Sequence, residues 1–296
     1  MKSNFKRVVL ALMFCGMFGF VEAQQLKSFV IFNGKGEKVD FGTMIKTLSA
    51  KDIVLLGENH NCSMAHWIYY KTVETLSKQY KDDCSVGFEM LEDDNQIILD
   101  EYANEVISES SYEKEMRLWG NYSTDYAFVV DYAKEHKLPI VATNIPRRYA
   151  NFVLYNSLDS LKNLSDEAKS YMPPLPIPYD KAMDNDPTLS IMKSMMKIKS
   201  NGAQKKKYLS QAQALKDATM AWNIVRNFKH HFIHLNGRYH SDLYGGIYPY
   251  IKMLNKNLTI GTVSTTRVEQ LDKLDEAYLG LADFIIAVPE DMIFSY

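Results

Sequence analysis

The chain has 296 residues, 46% of them hydrophobic, and a formal net charge of −2 at pH 7. The apolar content is that of an ordinary globular protein, and the charge gives no electrostatic case for binding nucleic acid. Three cysteines and the absence of a C-x-x-C-H stretch exclude a cysteine-rich scaffold and a c-type attachment site.

At the start of the chain, Lys2, Lys6 and Arg7 form a basic region and Val8 to Val21 an apolar one, broken by Gly16 and Gly19. Val21 and Ala23 place small residues before Gln24, so the pattern predicts a signal peptide over 1–23, cleaved after Ala23. The apolar run falls short of the roughly 18–20 residues that a spanning helix needs. Phe14 precedes Cys15 where a lipidation signal wants a small residue, which argues against a lipid anchor. The expected location is exported, periplasmic or secreted, with any membrane association peripheral. About 270 residues then remain, enough for one large domain or two small ones.

Strand-like runs follow at 28–33, 52–57, 85–90, 139–145, 231–237, 259–265 and 284–289. Several are near-continuous apolar runs rather than alternating ones, the pattern of strands buried on both faces. A turn over 32–39 marks a hairpin at one edge. Helical spacing of Ala65, Ile68, Val73 and Leu76 predicts a helix over 63–80 with Ser63 as its N-cap, and a second helix is predicted over 123–137. The fold class is therefore α/β, a mainly parallel sheet with helices on both faces. From 151 to 227 the rhythm breaks: a proline-rich connector, 172–180, precedes two helices that pair across Asn201-Gly202. This stretch reads as a helical insertion or lid on a core made of 24–150 and 228–296. Its Met183, Met192, Met195 and Met196 read as core filler, and Lys193, Lys197, Lys199, Lys205, Lys206 and Lys207 as a solvated face. Cys62 and Cys84 flank one predicted helix. Such a helix holds its ends about 25 Å apart, whereas bridged Cα atoms lie within about 7 Å, so no disulfide is expected.

Parallel strands share one carboxyl edge, where ligands bind in open α/β sheets. Polar residues close the predicted strands there: Glu58 and His60 after the first G-x-x-H, Glu89, Arg147 and Arg148, then Arg238, Tyr239 and His240 in the second G-x-x-H. Gly57 and Gly237 are expected to turn the chain sharply beside a ligand. Two imidazoles and two carboxylates on one edge suit a divalent metal such as Zn or Mn, with Glu58, His60, Glu89 and His240 as ligands. They also suit general acid–base catalysis by the same four residues, or an axial bond to haem iron with arginines on the propionates. The bland reading is a capping and salt-bridge network closing the top of the sheet. His66 could face the crevice or the helix surface, and His136 is expected exposed at a helix end.

In chain order, "LLGENH", "GFEMLEDDNQIILDEY", "IVATNIPRR", "QALKDATMAWNI" and "HLNGRYHSDLYGGI" resemble the haem-binding uptake family ChaN, of the superfamily that includes Tiki proteases and erythromycin esterases. The resemblance implies an α/β core with a helical insertion, haem binding, a part in iron or haem acquisition, and a homodimer that sandwiches haem. By motif it implies His60, His240, Glu58 and Glu89 as the active or metal site, with Arg147 and Asp217 in support. Haem contacts are thus expected from His60, Arg147, Arg238, Tyr239, His240 and Asp217. Two functions stand: an exported haem-binding protein, and a hydrolase dependent on a metal or on His and Glu.

Overall fold

The structure, a computed structural model, describes residues 26–81, 83–180 and 208–295. The signal-peptide stretch, the Asn201-Gly202 helix pair and the methionines and lysines of 183–207 lie outside them. Eight strands form one sheet: β1 Val30–Asn33, β2 Lys38–Val39, β3 Ile53–Glu58, β4 Ser85–Glu92, β5 Ile140–Asn144, β6 Phe232–Gly237, β7 Ile260–Val268 and β8 Phe284–Pro289. Their order is β2-β1-β8-β7-β3-β6-β4-β5. All pairs from β8 to β5 are parallel, and the short β1–β2 hairpin adds an antiparallel edge.

Among the described residues the α-helices are α1 Phe41–Leu48, α2 Ser63–Gln79, α3 Gln96–Ala103, α4 Glu109–Glu115, α5 Tyr122–Asp125, α6 Ala127–Glu135, α7 Arg147–Asn156, α8 Asp166–Lys169, α9 Leu209–Asn227 and α10 Ile247–Leu254. Alternate strand residues face opposite layers. Val54 and Leu56 of β3 join the cluster under α1, α2 and α6, whereas Ile53 and Leu55 join the cluster under α7, α9 and α10. Burial on both faces is why these strands read as continuous apolar runs. Each such leucine or isoleucine contributes roughly 1.5–3 kcal/mol on full burial.

Local chemistry sets the helix ends. Asp40 caps α1, its Oδ1 accepting from Thr43 N at 2.6 Å. The expected cap at Ser63 is displaced by one residue: Ser63 is already helical, and Cys62 stands at the N-cap without a side-chain bond. The single helix expected over 123–137 is two, α5 and α6, broken at Tyr126. Tyr126, at the break, is fully buried. Of the stretch read as an insertion, α9 packs its Ala218, Leu215 and Ile224 into the sheet-covering layer. Cys62 and Cys84 are buried and no disulfide joins them. Among the described residues, no helix is long and apolar enough to cross a membrane.

Candidate functional site

The parallel register brings the carboxyl ends of β3 and β6 side by side, Glu58 opposite Gly237. Glu58 closes β3 and is buried. Its Oε1 accepts from the Tyr126 hydroxyl at 2.6 Å and faces His60 Nδ1 at 2.9 Å. His66 reaches the other oxygen from α2, Nε2 lying 2.9 Å from Oε2 but off the line of a good hydrogen bond. Behind it stands Asp125, 3.5 Å from His66 Nδ1, accepting from Asn121 Nδ2 at 2.6 Å and Ser295 Oγ at 2.7 Å. His66 is therefore neither on the helix surface nor in the crevice; it lies beneath the crevice floor. Only a helix face seen against a completed strand end distinguishes those positions.

A second acid–imidazole group lies beside the first. Glu89 does not end its strand, as the sequence led one to expect; β4 runs three residues farther, to Glu92. The β4–β5 register shifts between Phe88 and Glu92, and Glu89 turns toward β6, accepting from Gly237 N at 2.6 Å. His240 sits in the single turn after β6, Nε2 3.1 Å from Glu89 Oε1 and Nδ1 2.5 Å from Asp217 Oδ1 of α9. Asp217, carried in by a helix distant in sequence, is thus a direct partner of the second histidine.

Burial opposes ionisation of Glu58, but the His60 hydrogen bond and the adjacent imidazoles of His60 and His66 outweigh it and hold the carboxyl below its usual range. Glu89 is buried too, and the neighbouring His240 charge holds it well below that range. Burial favours the neutral form of His240, yet Glu89 and Asp217 on either side push it up to about 10. The two flanking carboxylates thus favour its imidazolium form. Burial and the Glu89 charge raise Asp217. His60 is also raised: burial lowers it, while Glu58 and Glu89 more than compensate.

His60 differs from the other site histidines in exposure. Its side chain is 37% exposed against 2% for His66 and 6% for His240, and it meets Trp119 edge-on at 4.9 Å between ring centroids. It faces a cleft of ≈ 470 Å³ lined on one side by Ala150, Leu154, Leu209 and Ala212, with Arg147, Lys216 and Tyr239 among the polar residues. Gly57 and Gly237 are needed for space rather than for a sharp turn. Gly237 has an ordinary φ of −61°, and a β-carbon there would meet His60 Nε2 at 2.5 Å. At Gly57 it would meet Ser241 Oγ at 2.8 Å.

The arginines divide. Arg147 lines the cleft while binding Glu92, which also accepts from Arg117 Nε at 2.9 Å. Arg148 pairs with Asp94. Arg238 is turned away from the cleft, its Nε donating to Asp242 Oδ2 at 2.7 Å and its charge largely covered. Among the described residues, no three of His, Cys, Asp and Glu are grouped to hold a metal ion. Glu58, His60, Glu89 and His240 form two acid–imidazole pairs. A groove of ≈ 930 Å³ lies at the amino end of β5 among Asp100, Glu105 and Lys137, away from all of these residues.

An apolar-walled cleft with an outward imidazole, a phenol and cations is chemistry that suits a flat, apolar, anionic ligand. The chain belongs to the haem-binding uptake family ChaN of the Tiki superfamily, which it matches over residues 44–251. Among solved structures it is similar to ChaN of Campylobacter jejuni with cofacial haem binding. The two are 20% identical with a TM-score of 0.66, over 88% of this chain and 96% of that one. It is also similar to a mutant erythromycin esterase EreC in its open conformation, at 12% identity and a TM-score of 0.44, over 89% of this chain and 83% of that one. No curated protein sequence matches the chain.

Proposed function

We propose that this protein binds haem in the cleft between α7, α9 and the ends of β3 and β6, and serves as an exported carrier in iron or haem acquisition. The observation that carries the reading is the asymmetry of His60. Its Nδ1 is tied to buried Glu58, while Nε2 makes no hydrogen bond among the described residues, and the ring lines the cleft. Carboxylate support on one nitrogen fixes the ring and strengthens the other as a donor, the usual arrangement behind a metal-bound histidine. Tyr239, whose phenol lines the same cleft, offers a second iron donor. Arg147 and Lys216 would take the propionates, and Trp119, Leu154, Leu209 and Ala212 the porphyrin faces. Bound haem would supply the iron that such a carrier holds and hands on. Glu89 and His240 also line the cleft; with Asp217 behind them they would fix Gly237 and with it the wall on which His60 rests.

The cofacial binding of the C. jejuni protein supports a homodimer with haem between protomers, which sedimentation with and without haemin would test. The test of binding itself is a haemin titration followed at the Soret band. Wild type is expected to shift and saturate, His60→Ala and Tyr239→Phe to bind more weakly, and Arg238→Ala to behave like wild type. A wild-type spectrum identical to free haemin would end the proposal.

A further inference from the structure

His60 stands beyond the sheet. The β3–β6 ladder ends where Glu58 faces Gly237, so the main chain of the turn 59–62 has to be held by other parts of the fold. Asn59 Nδ2 donates to Thr265 O of β7 at 3.2 Å. Asn121 Nδ2, at the N-cap of α5, donates to His60 O at 2.8 Å. The third hold comes from the segment 290–295 that follows β8. There Ser295 N donates to Asn61 O at 3.0 Å, and Phe294 pairs with Cys62 in an antiparallel bridge.

Ser295 grips the turn a second time, through its side chain. Its hydroxyl donates to Asp125 Oδ2 at 2.7 Å, the same oxygen that accepts from Asn121 Nδ2 at 2.6 Å. Hydrogen bonds therefore run in a closed ring: from Ser295 to Asn61, along the chain to His60 O, on to Asn121 and Asp125, and back to Ser295. Asn121 and Asp125 are buried, out of reach of the water that would otherwise replace a lost partner. The segment itself has little apolar anchorage. Ile293 is 83% exposed and Phe294 54%, and the Arg267 guanidinium, which also pairs with Met292 O, lies 4.0 Å over the Phe294 ring. A segment held by hydrogen bonds and one cation–π contact rather than by burial opens locally at small cost.

We propose that the segment 290–295 is a clasp for His60, with Ser295 as its positioning residue. Docked, it fixes the turn whose imidazole faces the cleft; released, it leaves that imidazole on a looser turn. Its bearing on haem rests on the function proposed above, whereas the clasp itself does not. Ser295 is no part of the cleft lining, so its effect on a ligand there passes through the turn.

The experiment compares wild type with Ser295→Ala, Ser295→Thr and Ile293→Ser, the last a control in the same segment but outside the ring. Hydrogen exchange of the ligand-free protein is read by mass spectrometry over a peptide spanning 59–62, where Cys62 N is bonded to Asn59 O, and over α3. Ser295→Ala is expected to exchange about tenfold faster over 59–62, the worth of one hydrogen bond to a charged group, and at the wild-type rate over α3. Ser295→Thr keeps the hydroxyl and should restore the slow rate. In a haemin titration, affinity should fall by a similar factor in Ser295→Ala and recover in Ser295→Thr, with Ile293→Ser like wild type. Unchanged exchange over 59–62 in Ser295→Ala would overturn the clasp. Faster exchange with wild-type haemin affinity would overturn it too, because Ser295 would then steady the turn without positioning His60. If wild type gives no Soret change, the haem reading fails and the exchange rates still decide the clasp. Phe294→Ala, on the exposed side of the segment, removes the other anchor and is expected to act as Ser295→Ala does, so it reports even if Ser295→Ala folds poorly.

Discussion

The imidazole of His60 rests directly on the α-carbon of Gly237, where an added methyl group would stand 2.5 Å from Nε2 and 2.6 Å from Cε1. The same methyl would lie 3.3 Å from Glu89 Oε2, so one hydrogen at position 237 spaces the two acid–imidazole groups. Gly237→Ala tests this. The backbone there is extended, so the penalty is overpacking alone, on the order of 1–3 kcal/mol. Haemin affinity is expected to fall because the ring must move. Unchanged affinity would show that His60 Nε2 is not a ligand.

Removing His240 leaves Glu89 and Asp217 buried beside each other without their cation. His240→Ala is expected to cost about 3–5 kcal/mol of stability, the usual penalty for an uncompensated buried charge. Asp217→Asn should cost less, since Glu89 still pairs with the imidazolium. Urea unfolding of the two variants checks the order; a reversed order would place the main ion pair on Asp217.

His240 also fixes the sign of the alkaline limb. Its folded pKa is raised, to about 10, above that of the unfolded chain. The stability it contributes is fully present below about pH 6.5 and is lost as pH rises through about 10. The slope of unfolding free energy across that window should flatten in His240→Ala. An equal slope in both proteins would mean that His240 is neutral in the fold.

The acid limb belongs in part to another histidine. His234 lies inside β6 between Thr143 Oγ1, 2.7 Å from Nε2, and Asn236 Oδ1, 3.1 Å from Nδ1. Asn236 Nδ2 is held by Gly237 O and Ser241 Oγ, so Oδ1 must accept, and the neutral ring carries its proton on Nδ1. Burial drives the pKa down to about 4. A depressed pKa gives stability present above about pH 6.5 and lost as pH falls through about 4. The His234 resonances in NMR should remain those of neutral imidazole at pH 5.5; a protonated ring there would refute the assignment.

Arg147→Ala should weaken haemin binding less than His60→Ala. Its guanidinium is 58% exposed and already shared with Glu92, so solvent screens it, and a loss of up to about 1 kcal/mol is expected. A larger loss would mean that Arg147 carries the main anion contact.

Much of the architecture could be read from the residues. Runs such as Ile53–Leu56 and Phe232–Leu235 can be satisfied only between two apolar layers, which makes the sheet parallel and gathers its polar ends on one edge. Glu58, His60, Glu89 and His240 could be named on that ground, because a strand period and a strand end are local properties. Their partners could not be read from strand ends; Asp217 and the supporting role of Arg147 entered only through the family resemblance. Whether Arg147 or Arg238 faces the cleft depends on which carboxylate, Glu92 or Asp242, folds within reach of it. Asp217 acquires its role when α9, far along the chain, packs over β5 and brings a carboxylate to His240. His66 and Tyr126 meet at Glu58 only because α2 and the break between α5 and α6 cover the same strand end. Helical or strand periodicity records which face of an element is buried; tertiary packing decides which charge waits there to meet it.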